Sequence, residues 1–305
     1  MLIIFMKNKP YIALFISIVS VSFASIFIVS IQKNVPSLSI AFYRLFFTTL
    51  LIIPLVFLRV DTRKELFSLP RPTFLIMIII GVILAAHFAL WITSLKLTSV
   101  ASSVILVTAH PLLVGPVSHF LFKEKLSFLN AFGIALSVSG VFILVYGNYG
   151  FGSGVLDSLE GNILAILGGI AAGFYILGGR KIRKTVSVSC YAIVVYGVGT
   201  IVLFFICLFF NAPLYNYSLG DYLIILLMAV VAGIFGHTLY NWSLEHVRAS
   251  LASVVLLGEP LGSTLLAFLI PWINQIPSKY TMLGGGIILT GIYLTARNND
   301  KFNFS

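Results

Sequence analysis

The sequence predicts an all-α integral membrane protein whose ten transmembrane helices form two five-helix repeats, the second inverted relative to the first. Three observations carry this expectation. The 305 residues are 59% hydrophobic and only 9% charged, with a mean hydropathy of +1.08, whereas a soluble domain has about a quarter of its residues charged. The apolar runs last about 20 residues, the length a helix needs to cross hydrocarbon, and lack the short alternation of a strand barrel. Finally, two stretches 149 residues apart match each other: residues 94–112, SLKLTSVASSVILVTAHPL, and residues 243–261, SLEHVRASLASVVLLGEPL. Both begin with Ser-Leu, and both place an ionisable residue directly before a proline inside apolar sequence, His110-Pro111 and Glu259-Pro260. Membrane proteins keep working sites at such places.

The ten spans fall at about residues 10–31, 36–58, 72–94, 98–121, 127–146, 159–180, 188–210, 221–243, 248–271 and 278–297. Lys7 and Lys9 before the first run, with Ser22-Phe23-Ala24 inside it, resemble a cleavable leader. The run stays apolar to Ile31, however, and its loss would break the symmetry of the halves, so a retained helix is expected. The first repeat occupies residues 1–150 and the second 151–305. An odd number of spans per repeat makes the second enter the membrane from the opposite side. Gly133 and Gly140 of the fifth span have counterparts in Gly284 and Gly291 of the tenth, both pairs seven residues apart. With Gly169 and Gly173 they read as close helix packing, within the subunit or in a homodimer. The glycine-rich join at residues 147–154 lacks the Gly-Lys-Ser/Thr ending of a phosphate loop. Asp157 with Glu160 resembles a helix N-cap opening span six.

Charge sets the orientation. With a cytoplasmic N-terminus, 15 of the 19 Lys and Arg residues lie on the inner side and three on the outer, with Arg44 inside a span. That asymmetry puts both termini in the cytoplasm of a cell-membrane protein. It also accounts for the net charge of +10 without any nucleic-acid partner. Cys190 and Cys207 share one apolar run, fit no metal or disulfide framework, and read as small apolar fillers.

The order and spacing of the spans, the Tyr43-Arg44 pair early in span two and Glu259-Pro260 in a Leu-rich ninth span resemble the drug/metabolite transporter superfamily, in its EamA-type branch. The likeness covers essentially the whole chain. It implies a ten-helix bundle in which spans one, three, four, six, eight and nine line a central cavity, with five and ten at the periphery. It further implies export of amino acids and related small metabolites. His110 departs from the apolar or small residue usual before the first-half proline, which leaves the cargo open.

Glu259 is the one carboxylate expected at hydrocarbon depth. It is costly to ionise there, so it could carry a proton or bind solute; alternatively it stays neutral and hydrogen-bonds the backbone broken by Pro260, whose missing N–H leaves the Leu256 carbonyl free. Pro111 similarly frees the Val107 carbonyl beside His110, which can accept, donate or titrate. Both prolines are expected to kink their helices. His87 and Trp91 share one face of span three, and His237 and Asn241 one face of span eight with Tyr240 beside them. All five are expected at the cavity, or else to bond between helices. Ser22 and Tyr175 are further candidate liners, and Phe23, Trp91, Tyr175 and Tyr240 could stack on an apolar or aromatic solute. Arg44 is expected to pair with Glu259, cap carbonyls or snorkel outward. Spans three, four, eight and nine carry no Lys or Arg at depth, so the expected cavity is polar without a cation, which disfavours phosphorylated cargo. The scattered histidines offer no close ligand pair, so neither metal nor cofactor is expected.

The expected function is a secondary transporter working by alternating access, with a small-molecule solute, the bilayer and a coupling proton as partners. A channel or non-transporting scaffold would not need alternating access. An intramembrane enzyme would need a nucleophile–base set that His110 and Glu259 do not supply, so no enzyme is expected.

Overall fold

A computed structural model describes residues 2–98, 103, 106–123, 126–149, 159–269 and 279–297. Every regular element among them is helical. The first group is α1 (Leu2–Ile31), α2 (Ser37–Phe57), α3 (Val60–Phe67), α4 (Arg71–Leu97), α5 (Pro111–Phe122) and α6 (Phe128–Tyr149). After the join come α7 (Leu159–Ile182), α8 (Val188–Phe209), α9 (Leu219–Met228), a π-helical segment (Ala229–Thr238), α10 (Leu239–Ser243), α11 (Ala249–Val255), α12 (Gly258–Leu269) and α13 (Lys279–Arg297). Most of the glycine-rich join, and Asp157 with it, lies outside the described residues.

Among the described residues, six helical stretches are long and apolar enough to cross a membrane: Lys9–Ile28, Ser37–Phe57, Arg71–Leu97, Leu159–Ile182, Val188–Phe209 and Leu219–Ser243. Four shorter apolar helices, Leu106–Phe122, Phe128–Ile143, Ala249–Gly262 and Met282–Thr295, occupy the positions of the remaining expected spans. The molecule is therefore a multi-pass helical membrane protein. Large apolar side chains such as Phe15, Phe120, Phe128, Phe205 and Tyr293 stay exposed on its outside, where hydrocarbon replaces water.

Three features depart from the sequence expectation. The loop expected after span two holds a helix, α3, with Asp61 in its first turn and Lys64 in its last, each complementing the helix dipole. Helix α1 starts well before residue 10 and runs through Pro10, whose carbonyl accepts from Ser243 Oγ at 3.3 Å. Span eight is not one α-helix, because its middle third widens into the π form. Helices α1 and α2 hold that segment in place: Ser17 Oγ of α1 donates to the Gly236 carbonyl at 2.9 Å and Thr48 Oγ1 of α2 to the Ala229 carbonyl at 3.5 Å, while within the segment Thr238 Oγ1 donates to the Gly233 carbonyl at 3.0 Å, five residues earlier.

Two ends can be distinguished by what is tied together. At one, Ser39 Oγ donates to Pro213 and Thr98 Oγ1 to Asn162, both at 2.7 Å. At the other, Ser187 N donates to Glu65 Oε1 and Arg183 to Glu245, also at 2.7 Å. The second end gathers α3, the last turn of α7 and the connections after α7 and α10, which carry Arg63, Lys64, Arg180, Lys181 and Lys184. Burial pulls the Arg183 pKa below its ordinary value, and the Glu245 carboxylate opposes that shift.

Helices α6 and α13 pack on each other, and with α11 they share a small second core of Ile134, Val141, Val254, Leu257 and Ile288. The four glycines singled out by their spacing lie in this contact, so within the chain they serve intramolecular packing. A Cβ on Gly140 would lie 2.8 Å from the Gly284 carbonyl oxygen and 2.8 Å from Ile288 N, and one on Gly133 2.8 Å from the Gly291 carbonyl. Backbone opposes backbone there, so relief requires the helices to part. Gly140→Val is expected to destabilise the protein by about 1–3 kcal/mol, the usual size of overpacking. A detergent thermal melt checks it, and an unshifted midpoint would disprove the packing role.

Candidate functional site

An interior cavity lies where both sets of helices converge. Ser17, Val21 and Ala24 come from α1, Arg44 from α2, and His87 and Trp91 from α4. Val107, Thr108 and His110 precede α5; Ala172, Tyr175 and Ile176 belong to α7; His237 ends the π segment, Tyr240 begins α10, and Leu256 and Glu259 flank the start of α12.

Local structure explains how these side chains reach one place. Ahead of each proline the helix loosens for about two residues, at 109–110 and at 256–257. His110 keeps right-handed helical angles (φ −51°, ψ −25°), so the hydrogen-bond ladder breaks while the chain direction continues. Its carbonyl accepts from Leu113 N and Val114 N at 3.0 and 2.9 Å. At the second proline the Leu256 carbonyl is not left free as expected, because the Glu259 N–H takes it at 2.9 Å in a tightened turn. The Val107 carbonyl lies against Gly169, where a Cβ would be 2.8 Å away, so the glycine allows this close approach. On α4, His87 and Trp91 stack with ring centroids 5.9 Å apart and planes 7° apart, as their spacing predicts. His87 Nδ1 is 2.9 Å from the Gly168 carbonyl. The π register carries His237 against Phe88 (centroids 5.3 Å) and Tyr175 (6.3 Å).

Of the residues singled out in the sequence, His87, Trp91, His110, Tyr175, His237, Tyr240 and Glu259 line this cavity. Ser22 and Asn241 lie outside its lining. Ser22 is fully buried, donating to the Ile18 carbonyl at 2.7 Å and reaching the Glu259 carbonyl at 3.3 Å, so it braces the backbone that carries Glu259. Asn241 belongs to a layer beneath the cavity. Its Nδ2 contacts the Tyr175 hydroxyl, the Tyr196 hydroxyl at 3.1 Å and the His237 carbonyl at 2.7 Å. Its own carbonyl accepts from Arg183 Nε at 3.1 Å. Phe23 stacks on Phe27 and is not part of the lining.

Arg44 overturns the expectation of a cavity without a cation. It is 2% exposed, with its guanidinium carbon 4.5 Å from the Phe88 ring centroid and 6.0 Å from that of Trp91. Among the described residues it makes no ion pair with Glu259, although both line the cavity. Its composition signal was visible as the lone basic residue inside a span, but sequence spacing could not tell which way the side chain turns. The Glu259 carboxylate likewise has no hydrogen bond among the described residues. Four buried polar atoms on the lining also have no partner there: Arg44 Nη1, Trp91 Nε1, His110 Nδ1 and the Tyr240 hydroxyl. Buried polar groups are normally paired, so a cluster of orphans at a cavity wall indicates groups arranged for a guest. Among the described residues no group of three or more His, Cys, Asp or Glu side chains is arranged to hold a metal ion.

Comparison with known proteins places these features in context. The EamA-like transporter family model matches the chain twice, over residues 8–146 and 159–297. The uncharacterized transporter YdfC of Bacillus subtilis is 23% identical over 209 residues, covering 68% of this chain and 66% of its own length. An uncharacterized transporter of Archaeoglobus fulgidus is 24% identical over 300 residues, 97% of this chain and 100% of that protein. Mouse solute carrier family 35 member G1 is 24% identical over 288 residues, 90% and 75% of the two chains. A solved crystal structure superposes with a TM-score of 0.77 at 18% identity, over 96% of this chain and 98% of the other, which is a likeness of fold.

Proposed function

The chain belongs to the EamA-like transporter family, and on that premise we propose that it is a secondary transporter that exports small organic solutes, such as amino acids or related metabolites, by alternating access. The observation that carries the proposal is the interior cavity between the two matched regions, walled by both proline-broken segments and lined by buried polar groups that lack partners among the described residues. A rigid scaffold has no use for such orphans, since each unpaired group costs free energy in a low-dielectric interior.

In this mechanism the two regions are inverted five-helix repeats of a ten-span bundle, and they rock about the cavity. The loosened turns ahead of Pro111 and Pro260 provide flexing points on opposite walls. Both termini face the cytoplasm of the cell membrane, and the end holding Arg183, Glu245 and Glu65 is the inner one, in keeping with its basic residues. A proton carried on Glu259 couples transport to the ion gradient.

The test is a solute screen in proteoliposomes, with and without an imposed pH gradient. A carrier should show labelled-solute uptake that unlabelled solute on the opposite side accelerates severalfold. Flux that simply follows the gradient, without such acceleration, would identify a channel and overturn alternating access.

A further inference from the structure

We propose that Arg44 is the anion-recognition residue of the cavity, and that the solute it selects carries a carboxylate head on a flat apolar body. Arg44 is buried, lines the cavity and has no acceptor on Nη1 among the described residues. Its guanidinium carbon lies 4.5 Å from the Phe88 ring centroid and 6.0 Å from that of Trp91. Aromatic rings attract the cation without taking up its N–H donors, which remain to grip a carboxylate with two parallel hydrogen bonds. A buried charge of this kind needs a counter-charge, and Glu259 is not within ion-pair distance. The other orphans around it are rich in donors: Trp91 Nε1 can only donate, and the Tyr240 hydroxyl and His110 Nδ1 can donate to an oxygen acceptor. A ligand with several acceptor atoms satisfies this wall, whereas a cation or a pure hydrocarbon leaves it unsatisfied. The stacked His87–Trp91 pair and the Tyr175 and Tyr240 rings supply flat surfaces for the body of the ligand.

The selectivity for an anionic head rests on the transporter reading only in calling the ligand cargo; binding is separable from transport. The experiment therefore measures both on purified protein. Binding is followed by intrinsic tryptophan fluorescence for 3-phenylpropanoate and its amide, and for phenylalanine and phenylalaninamide. Counterflow of the same four compounds is measured in proteoliposomes. The first pair tests a simple acid and the second a zwitterion, so the arms separate the two sources of a carboxylate. The expected result is that at least one acid binds about 10- to 100-fold more tightly than its amide, the range of a charge-assisted contact. Arg44→Gln should erase that ratio, and Arg44→Lys should restore part of it because it keeps the charge but loses the fork. Variants are compared as acid-to-amide ratios on monodisperse protein, so a loss of folded material cannot imitate the effect. Equal binding of acids and amides by the natural protein, no binding of either acid, or an unchanged ratio in Arg44→Gln would overturn the role of Arg44. Arg44-dependent binding without counterflow would leave it standing and sink the transporter proposal instead.

Discussion

Glu259→Gln is expected to reduce solute movement driven by a pH gradient to the level of protein-free liposomes, while leaving counterflow between equal solute pools within about twofold of the natural protein. The separation follows from the local structure. The backbone at Glu259 is held by contacts that do not involve its carboxylate: its N–H bonds the Leu256 carbonyl at 2.9 Å and its carbonyl receives Ser22 Oγ at 3.3 Å. The alternative in which a neutral Glu259 stabilises the proline break by bonding the backbone is thus not supported, because the Leu256 acceptor is already satisfied by the main chain. Glutamine is nearly isosteric and should preserve the turn. What it removes is the ability to change charge by one unit in a cavity whose wall contains one permanent cation, Arg44. Exchange returns the same proton state to both sides and needs no net proton release, whereas gradient-driven movement does. Retention of full gradient-driven accumulation with its ordinary pH dependence in Glu259→Gln would assign coupling to another group. Loss of both activities would make the carboxylate a binding group rather than a coupling one.

How much of this could be read from the sequence follows from the range of the forces involved. The six long spans were legible because apolar length is a summed, local property that the bilayer enforces. The Gly133/Gly140 and Gly284/Gly291 pairs were legible as packing because a glycine has few other uses inside an apolar helix, although only the structure shows that they meet within one chain. His87 and Trp91 share a face by helical arithmetic, and they stack. The π segment was not legible. A ten-residue π segment is too short for a change of apolar periodicity to register, and its supports, Ser17 of α1 and Thr48 of α2, come from distant parts of the chain. That shift also turns Asn241 downward into the tyrosine layer, four residues after His237, which stays on the cavity wall. Arg44 was left open for a related reason. Its position in the span allowed pairing with Glu259, capping of carbonyls or snorkelling outward, and only the fold brings its guanidinium beside the Phe88 and Trp91 rings of α4.

The second large effect is expected at the end that holds Arg183 and Glu245, where Arg183→Met should destabilise the protein by about 2–5 kcal/mol and raise the leak of solute through the empty carrier. Arg183 is 1% exposed and ties its own connection to α10 and to the segment after it: Nε donates to the Asn241 carbonyl at 3.1 Å, Nη1 to the Val186 carbonyl, and Nη2 to Glu245 at 2.7 Å. Methionine fills similar volume but leaves two buried carbonyls without donors, each worth about 1–3 kcal/mol. The Glu245 contact adds little, since that carboxylate is 42% exposed and water can replace the lost partner. Glu245→Gln should therefore shift the melting midpoint far less than Arg183→Met, although both cut the same ion pair. The asymmetry is the diagnostic. Equal shifts would mean that the charge pair itself closes this end, and negligible shifts in both would mean that the Tyr175–Asn241–Tyr196 layer closes it without help. The expected order places the lock in the backbone contacts of Arg183, directly beneath Asn241. If the cavity opens at this end, as the proposed alternating access requires, movement of α10 relative to α7 and α8 breaks those contacts first, which makes Arg183 the residue where stability and the rate of opening should trade against each other.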